Sequence, residues 1–222
     1  MTVRALLRRV VLRPRWGNLR RRRPFSESFG YERGTPVDRW YIERFLDEHA
    51  VDIRGEVLEV GEPRYTARFG GDRVTGSHVV DVDAKNDRAT IVADLCEGGS
   101  LPTAAFDCAI VTQTLQFLPD VDAAVANLYD SLKPGGTLLV TAPTVSRLEP
   151  GQREQDLWRF GPAGLVQLLR ATGGELLVVG YGNLVAAVAA LEGVAAEELA
   201  EHELHGVDGD FPVVVCGRVA KR

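Results

Sequence analysis

Five short apolar runs, each continuous rather than alternating with polar residues, recur through the middle of this 222-residue chain, separated mostly by stretches with helical spacing. Continuous apolar strands belong to a sheet covered on both faces, and alternation of strand with helix requires crossovers between parallel strands. The runs are 56–60 (EVLEV), 78–82 (HVVDV), 90–93 (TIVA), 106–113 (FDCAIVTQ) and 137–142 (TLLVTA). Helical spacing is predicted over 37–49, where Trp40, Tyr41, Phe45 and Leu46 share a side, and over 121–132 and 161–172. A further helical stretch, 183–204, is broken near Gly193 and separates two last strands, 175–182 and 211–220. Those two strands fit an antiparallel pair at a sheet edge. The link between the second and third runs is too short for a helix, so one crossover is degenerate. The expectation is an α/β fold: a doubly wound, mostly parallel seven-stranded sheet with an antiparallel C-terminal pair.

Charge divides the chain. Residues 1–24 hold nine arginines and no acid, so a net charge of −5 overall leaves −14 for the rest. The reading is a basic, flexible arm over 1–35 and one domain over 36–222 with a helical insertion near 183–210. Val3, Leu6, Leu7, Val10 and Val11 give the arm a short apolar face before Pro14, suited to peripheral membrane or protein contact. Nucleic acid is not an expected partner, because the body is acidic. Cys96, Cys108 and Cys216 are widely separated and the histidines form no ligand spacing, so no metal is expected. No run approaches the roughly 20 apolar residues of a membrane-spanning helix, and the N-terminus lacks a signal peptide's apolar core, which points to the cytoplasm.

Chemistry-bearing residues fall in a fixed order. Glu59 ends the first strand before Gly61; Asp81 and Asp83 close the second; Asp94-Leu95 follows the third; FDCAIVTQTLQFLPD forms the fourth and its exit; LKPGGTLLVTAP joins a helix to the fifth. In this order they resemble a class I S-adenosylmethionine-dependent methyltransferase of the methyltransferase type 11-like kind. The resemblance covers roughly 36–219 and is strongest over 91–143. More weakly, DLWRFGPAGLVQLL and GYGNLVAAVAALEG are similar to methyltransferase-like proteins that accompany glycosyltransferases in bacterial polysaccharide loci.

The resemblance implies a Rossmann-like sheet and S-adenosylmethionine as cofactor, held in the crevice beyond the strands' carboxyl ends. It places Glu59 and Gly61 beside the methionine moiety and Asp81 or Asp83 on the ribose diol. Asp94 falls at the adenine amino group with Leu95 contributing backbone, and Thr112 and Gln113 beside the transferable methyl. Gln116, Trp158, Arg159 and Tyr181 are substrate-side candidates. The chain departs from the family where Glu62-Pro63-Arg64 replaces further glycines after Gly61. Arg64 or Arg68 would then compensate by pairing with the cofactor carboxylate. It departs again at Gln116, near which many relatives carry a histidine, and which cannot take up a proton; the catalytic base is unassigned. The implied activity is methyl transfer to an oxygen or nitrogen of a small molecule or glycan precursor. The competing reading is a catalytically silent binding or scaffold protein.

Overall fold

The computed structural model describes residues 17–222; the arm's apolar face lies outside them. Helix α1 (Val37–Glu48) precedes strands β1 (Gly55–Val60), β2 (Val74–Asp81), β3 (Ile91–Val92) and β4 (Phe106–Thr112). Helix α2 (Val121–Ser131), β5 (Leu132–Pro143), α3 (Pro162–Arg170) and β6 (Glu175–Tyr181) follow. Helices α4 (Leu184–Glu192) and α5 (Glu201–His205) then lead to β7 (Val214–Ala220). The sheet order is β3-β2-β1-β4-β5-β7-β6. All neighbours are parallel except β7, which is antiparallel to both β5 and β6. The fold is the Rossmann-like α/β sheet expected from the sequence.

Strand order reverses at β1, which lies between β2 and β4. Chain segments leaving β1 and β4 therefore part in opposite directions and leave a crevice at the carboxyl end of the sheet. Successive residues of β4 point to opposite faces. Ala109 and Val111 join Leu128 of α2 and Leu165 of α3 on one side, whereas Cys108 and Ile110 join Tyr41 and Phe45 of α1 on the other. Cys108 and Cys216 are buried in this second layer, and burial pushes both thiols up.

Several boundaries differ from the sequence reading for local reasons. Strand β2 begins at Val74, four residues early, because Gly76 gives space to the Glu56 carboxylate; a Cβ there would lie 2.0 Å from its Oε2. Strand β5 runs through Pro134-Gly135-Gly136, where a turn is expected. Gly135 takes φ +79°, and a Cβ on Gly136 would meet the Lys133 carbonyl oxygen at 2.9 Å. No helix joins β2 to β3, and the β1–β2 crossover is itself reduced to a π turn, Thr66–Gly70, and a 3-10 turn, Gly71–Arg73. Helix α4 stops at Gly193, which takes φ +66°. Beyond it the chain forms a 3-10 turn, Ala196–Glu198, and the single turn and a half of α5, not one second helix.

Residues 25–35, expected to belong to the arm, lie against the domain. Phe25 and Ser26 N–H groups donate to the Glu192 carbonyl oxygen at 2.8 and 3.2 Å, and the Arg33 Nε donates to Glu198 at 2.9 Å. Among the described residues no helix is long and apolar enough to cross a membrane.

Candidate active site

Glu59 points from the end of β1 into the turn after it and is 2% exposed. Its carboxylate accepts from the Tyr65 N–H (2.9 Å), the Thr66 N–H (2.7 Å) and the Thr66 hydroxyl (2.7 Å). Desolvation pushes its carboxyl up, and these three bonds oppose that. Both oxygens are taken by the protein, so Glu59 shapes the loop from beneath. Gly61 sits above it at φ +81°, with open space where a side chain would stand.

Asn86 spans the loops after β1 and β2, although no sequence motif singles it out. Its Nδ2 donates to the Gly61 carbonyl and to Asp81 Oδ2, each at 2.7 Å, and the Asp83 N–H donates to Asp81 Oδ1 at 2.9 Å. Asp81 is thus committed on both oxygens. Asp83 accepts the Lys85 N–H on Oδ1 alone and is exposed. Asp94 likewise accepts only the Cys96 N–H, on Oδ1, and borders a shallow hollow with Val82 and Val92. Leu95 is buried, its carbonyl accepting from Asn127 at 3.3 Å. Arg64 and Arg68 both turn to Glu43 of α1, at 3.7 and 2.6 Å.

On the other side of the crevice, Thr112 ends β4 and Gln113 bends the chain away with φ +49°, its N–H donating to the Thr141 carbonyl at 3.0 Å. A cavity of about 200 Å³ opens here. Gln113, Gln116, Arg147 and Arg159 line it from the sheet side, and Asp38 and Arg39 from the start of α1, with Phe29 and Tyr31 beside them. Gln116 is 6% exposed; its Nε2 donates to the Gln113 carbonyl at 2.9 Å, leaving Oε1 buried without a partner. The Gln113 Nε2 is also buried without a partner. Asp38 accepts no side-chain hydrogen bond among the described residues, and desolvation pushes its carboxyl up. Arg39 donates to the hydroxyls of Tyr31 (3.0 Å) and Tyr65 (3.3 Å).

The substrate-side candidates divide. Arg159 lines the cavity but is anchored to Asp156, which it holds below the usual carboxylate range. Trp158 is outside it, partly exposed, with its indole N–H on the Leu118 carbonyl at 2.8 Å. Tyr181 is a core residue, stacked on Tyr41 and donating to Glu48 at 2.6 Å. It is a substrate-side candidate by sequence, but β6 is the edge strand and its end is packed against Tyr41 and Phe45 of α1. Asp38, Phe29 and Tyr31 precede the sheet in sequence and carry no motif, so only folding brings them to the exit of β4.

A reversed strand order around β1, acidic side chains at the ends of β1 and β2 and after β3, and an open polar cavity beyond β4 are the features of a Rossmann-like fold with a ligand crevice at the carboxyl end of its sheet. Residues 37–140 match the family described as "Methyltransferase domain". The fold is shared with an S-adenosylmethionine-dependent methyltransferase from Mesorhizobium loti (15% identity, 83% of this chain and 98% of that one, TM-score 0.55). It is also shared with a SAM-dependent methyltransferase from Archaeoglobus fulgidus (13%, 88% and 100%, TM-score 0.55). A third likeness is to phosphoethanolamine N-methyltransferase 2 of Haemonchus contortus, solved in complex with S-adenosyl-L-methionine (17%, 83% and 57%, TM-score 0.52). At these identities the likeness is one of fold. No curated protein matches the chain. The family match spans a little under half of the chain, and the sheet to which residues 37–140 belong is the Rossmann-like fold that these methyltransferase structures share.

Proposed function

We propose that the protein transfers the methyl group of S-adenosylmethionine to an oxygen or nitrogen of a small molecule or glycan precursor, a hydroxyl oxygen suiting the cavity best. One observation carries this reading: Gln113, Gln116 and Asp38 line one cavity at the exit of β4, where Gln113 Nε2 and Gln116 Oε1 are buried without hydrogen-bond partners. A buried donor and a buried acceptor left unsatisfied each cost about 1–3 kcal/mol. A hydroxyl, which donates and accepts, satisfies both.

S-adenosylmethionine supplies a methyl group activated by its sulfonium. The residues beyond β1 to β3 fit it. Gly61 leaves its crevice side bare, and Asp83, with Oδ2 free, is better placed than the fully engaged Asp81 to accept from the ribose diol. Asp94 keeps an oxygen for the adenine amino group, with the Leu95 backbone beside it. Val82 and Val92, 71% and 57% exposed, offer that hollow apolar walls. Glu59 fixes the turn through the N–H groups of Tyr65 and Thr66, and Thr112 and Gln113 border the methyl. On the acceptor side, Gln113 and Gln116 orient the hydroxyl and Asp38 takes its proton as the new carbon–oxygen bond forms and the methyl–sulfur bond breaks.

Calorimetric titration with S-adenosylmethionine and S-adenosylhomocysteine tests the cofactor side. The expected result is binding that weakens about tenfold or more in Asp83→Ala and in Asp94→Ala, and is unchanged when Arg64 is replaced, because Arg64 faces Glu43. Absence of heat and of thermal stabilisation at millimolar ligand overturns the reading.

A further inference from the structure

Helix α4 is built inside out. Its alanines, Ala186, Ala187 and Ala189, face the core, whereas Leu184, Val185, Val188 and Leu191 are 53%, 46%, 37% and 44% exposed. The spacing i, i+1, i+4, i+7 puts all four large side chains on one stripe. A helix closing a water-facing surface carries its large apolar residues inward and polar ones outward; the reverse marks a face meant to be covered. The stripe continues beyond Leu191 into a depression of about 500 Å³ shared with Pro24, Leu148 and Pro150, where Arg147 and Arg153 outnumber the one acid, Glu27. There the N-terminal segment is tied down, through Phe25 and Ser26 on the Glu192 carbonyl.

Immediately before that anchor stand Arg20, Arg21, Arg22 and Arg23, all exposed or nearly so. None of the four forms an ion pair with a carboxylate among the described residues; Arg21 lies over the Phe25 ring at 4.2 Å. In a chain of net charge −5, four such arginines beside an apolar helix face call for a partner that is both apolar and anionic. An anionic lipid surface has both properties at once.

We propose that α4 and the arginine run form a docking surface for an anionic membrane. Leucine and valine side chains enter the headgroup–acyl boundary while the arginines pair with lipid phosphates. Arg147 borders both this surface and the cavity beyond β4, so a docked protein would meet a membrane-borne acceptor. That consequence rests on the methyl-transfer reading of the cavity; the docking does not.

The test is co-sedimentation of the full chain with vesicles of phosphatidylcholine alone or mixed with phosphatidylglycerol, at low and physiological salt. Binding to the anionic vesicles only, weakening as salt rises, is expected. Each arginine of the run replaced by glutamine lowers the partition coefficient about fivefold. A Leu184→Gln/Leu191→Gln variant, with circular dichroism and Tm unchanged because neither side chain is in the core, loses binding at both salt levels. Three results overturn the proposal: no partition of the wild type; full binding by the folded leucine variant, which would assign binding to the N-terminal segment and its arginines without α4; or a dimer in light scattering that the leucine variant dissolves, which would make a second copy the occupant. None of these readouts depends on methyl transfer, so failure here leaves the cavity reading untouched.

Discussion

Replacing Asp38 with asparagine lowers kcat by roughly a hundred- to ten-thousandfold, the range associated with loss of a general base, and leaves S-adenosylmethionine binding intact. Asp38 lines the cavity with Gln113 and Gln116 and makes no side-chain hydrogen bond to the loops after β1, β2 and β3, although its neighbour Arg39 reaches Tyr65 of the first of them. Desolvation raises its carboxyl, against the pull of Arg39 and of the backbone at the start of α1. The base acts as carboxylate, so activity in the wild type climbs with pH through that raised value, above the usual carboxylate range. In the Asp38→Asn variant this acid limb is absent from the pH–rate profile. The measurement is incorporation of labelled methyl groups into an acceptor found by screening polyols, saccharides and amines, with the profile recorded for both proteins. An unchanged kcat and limb in the variant would move the base elsewhere.

The second large effect falls on stability. Glu59→Ala removes the acceptor of two buried N–H groups and a buried hydroxyl in one step. Each unsatisfied donor costs about 1–3 kcal/mol, so the expected loss for the three is about 3–9 kcal/mol, a fall in Tm on the order of 10–30 °C for a domain of this size. Urea denaturation of the two proteins measures it. Loss of S-adenosylmethionine binding with stability preserved would instead identify Glu59 as a direct ligand. The predicted pattern, instability first and weakened binding as its consequence, distinguishes a residue that holds the loop after β1 in place from one that touches the cofactor.

The loop after β1 explains how a strand-and-turn motif with a single glycine is organised. A run of glycines lets backbone N–H groups approach a ligand directly. Here Glu59 gathers the N–H groups of Tyr65 and Thr66 beneath the turn, Asn86 bridges Gly61 to Asp81 above it, and Glu62 pairs with Arg88 at 2.7 Å. Side chains hold the loop, and one bare position, Gly61, faces the crevice. Arg64 and Arg68, candidates for compensating the missing glycines, serve instead to tie the loop to α1 through Glu43.

The order of elements and the class of fold were legible in the amino-acid sequence. Hydrophobic period, turn residues and run length are local quantities, and they decide whether a segment is strand or helix before any distant residue arrives. The acids Asp81, Asp83 and Asp94 could be placed at strand ends for the same reason. Which of them keep a free oxygen was a matter for tertiary structure, since that depends on Asn86 and on neighbouring amides that compete for them. Long-range packing also sent Tyr181 into the core and brought Asp38 to Gln113, 75 positions later in the chain. It turned the large side chains of α4 outward as well: an apolar helix carries no mark of which side will be covered, and only packing against α1 selects the alanines for the core.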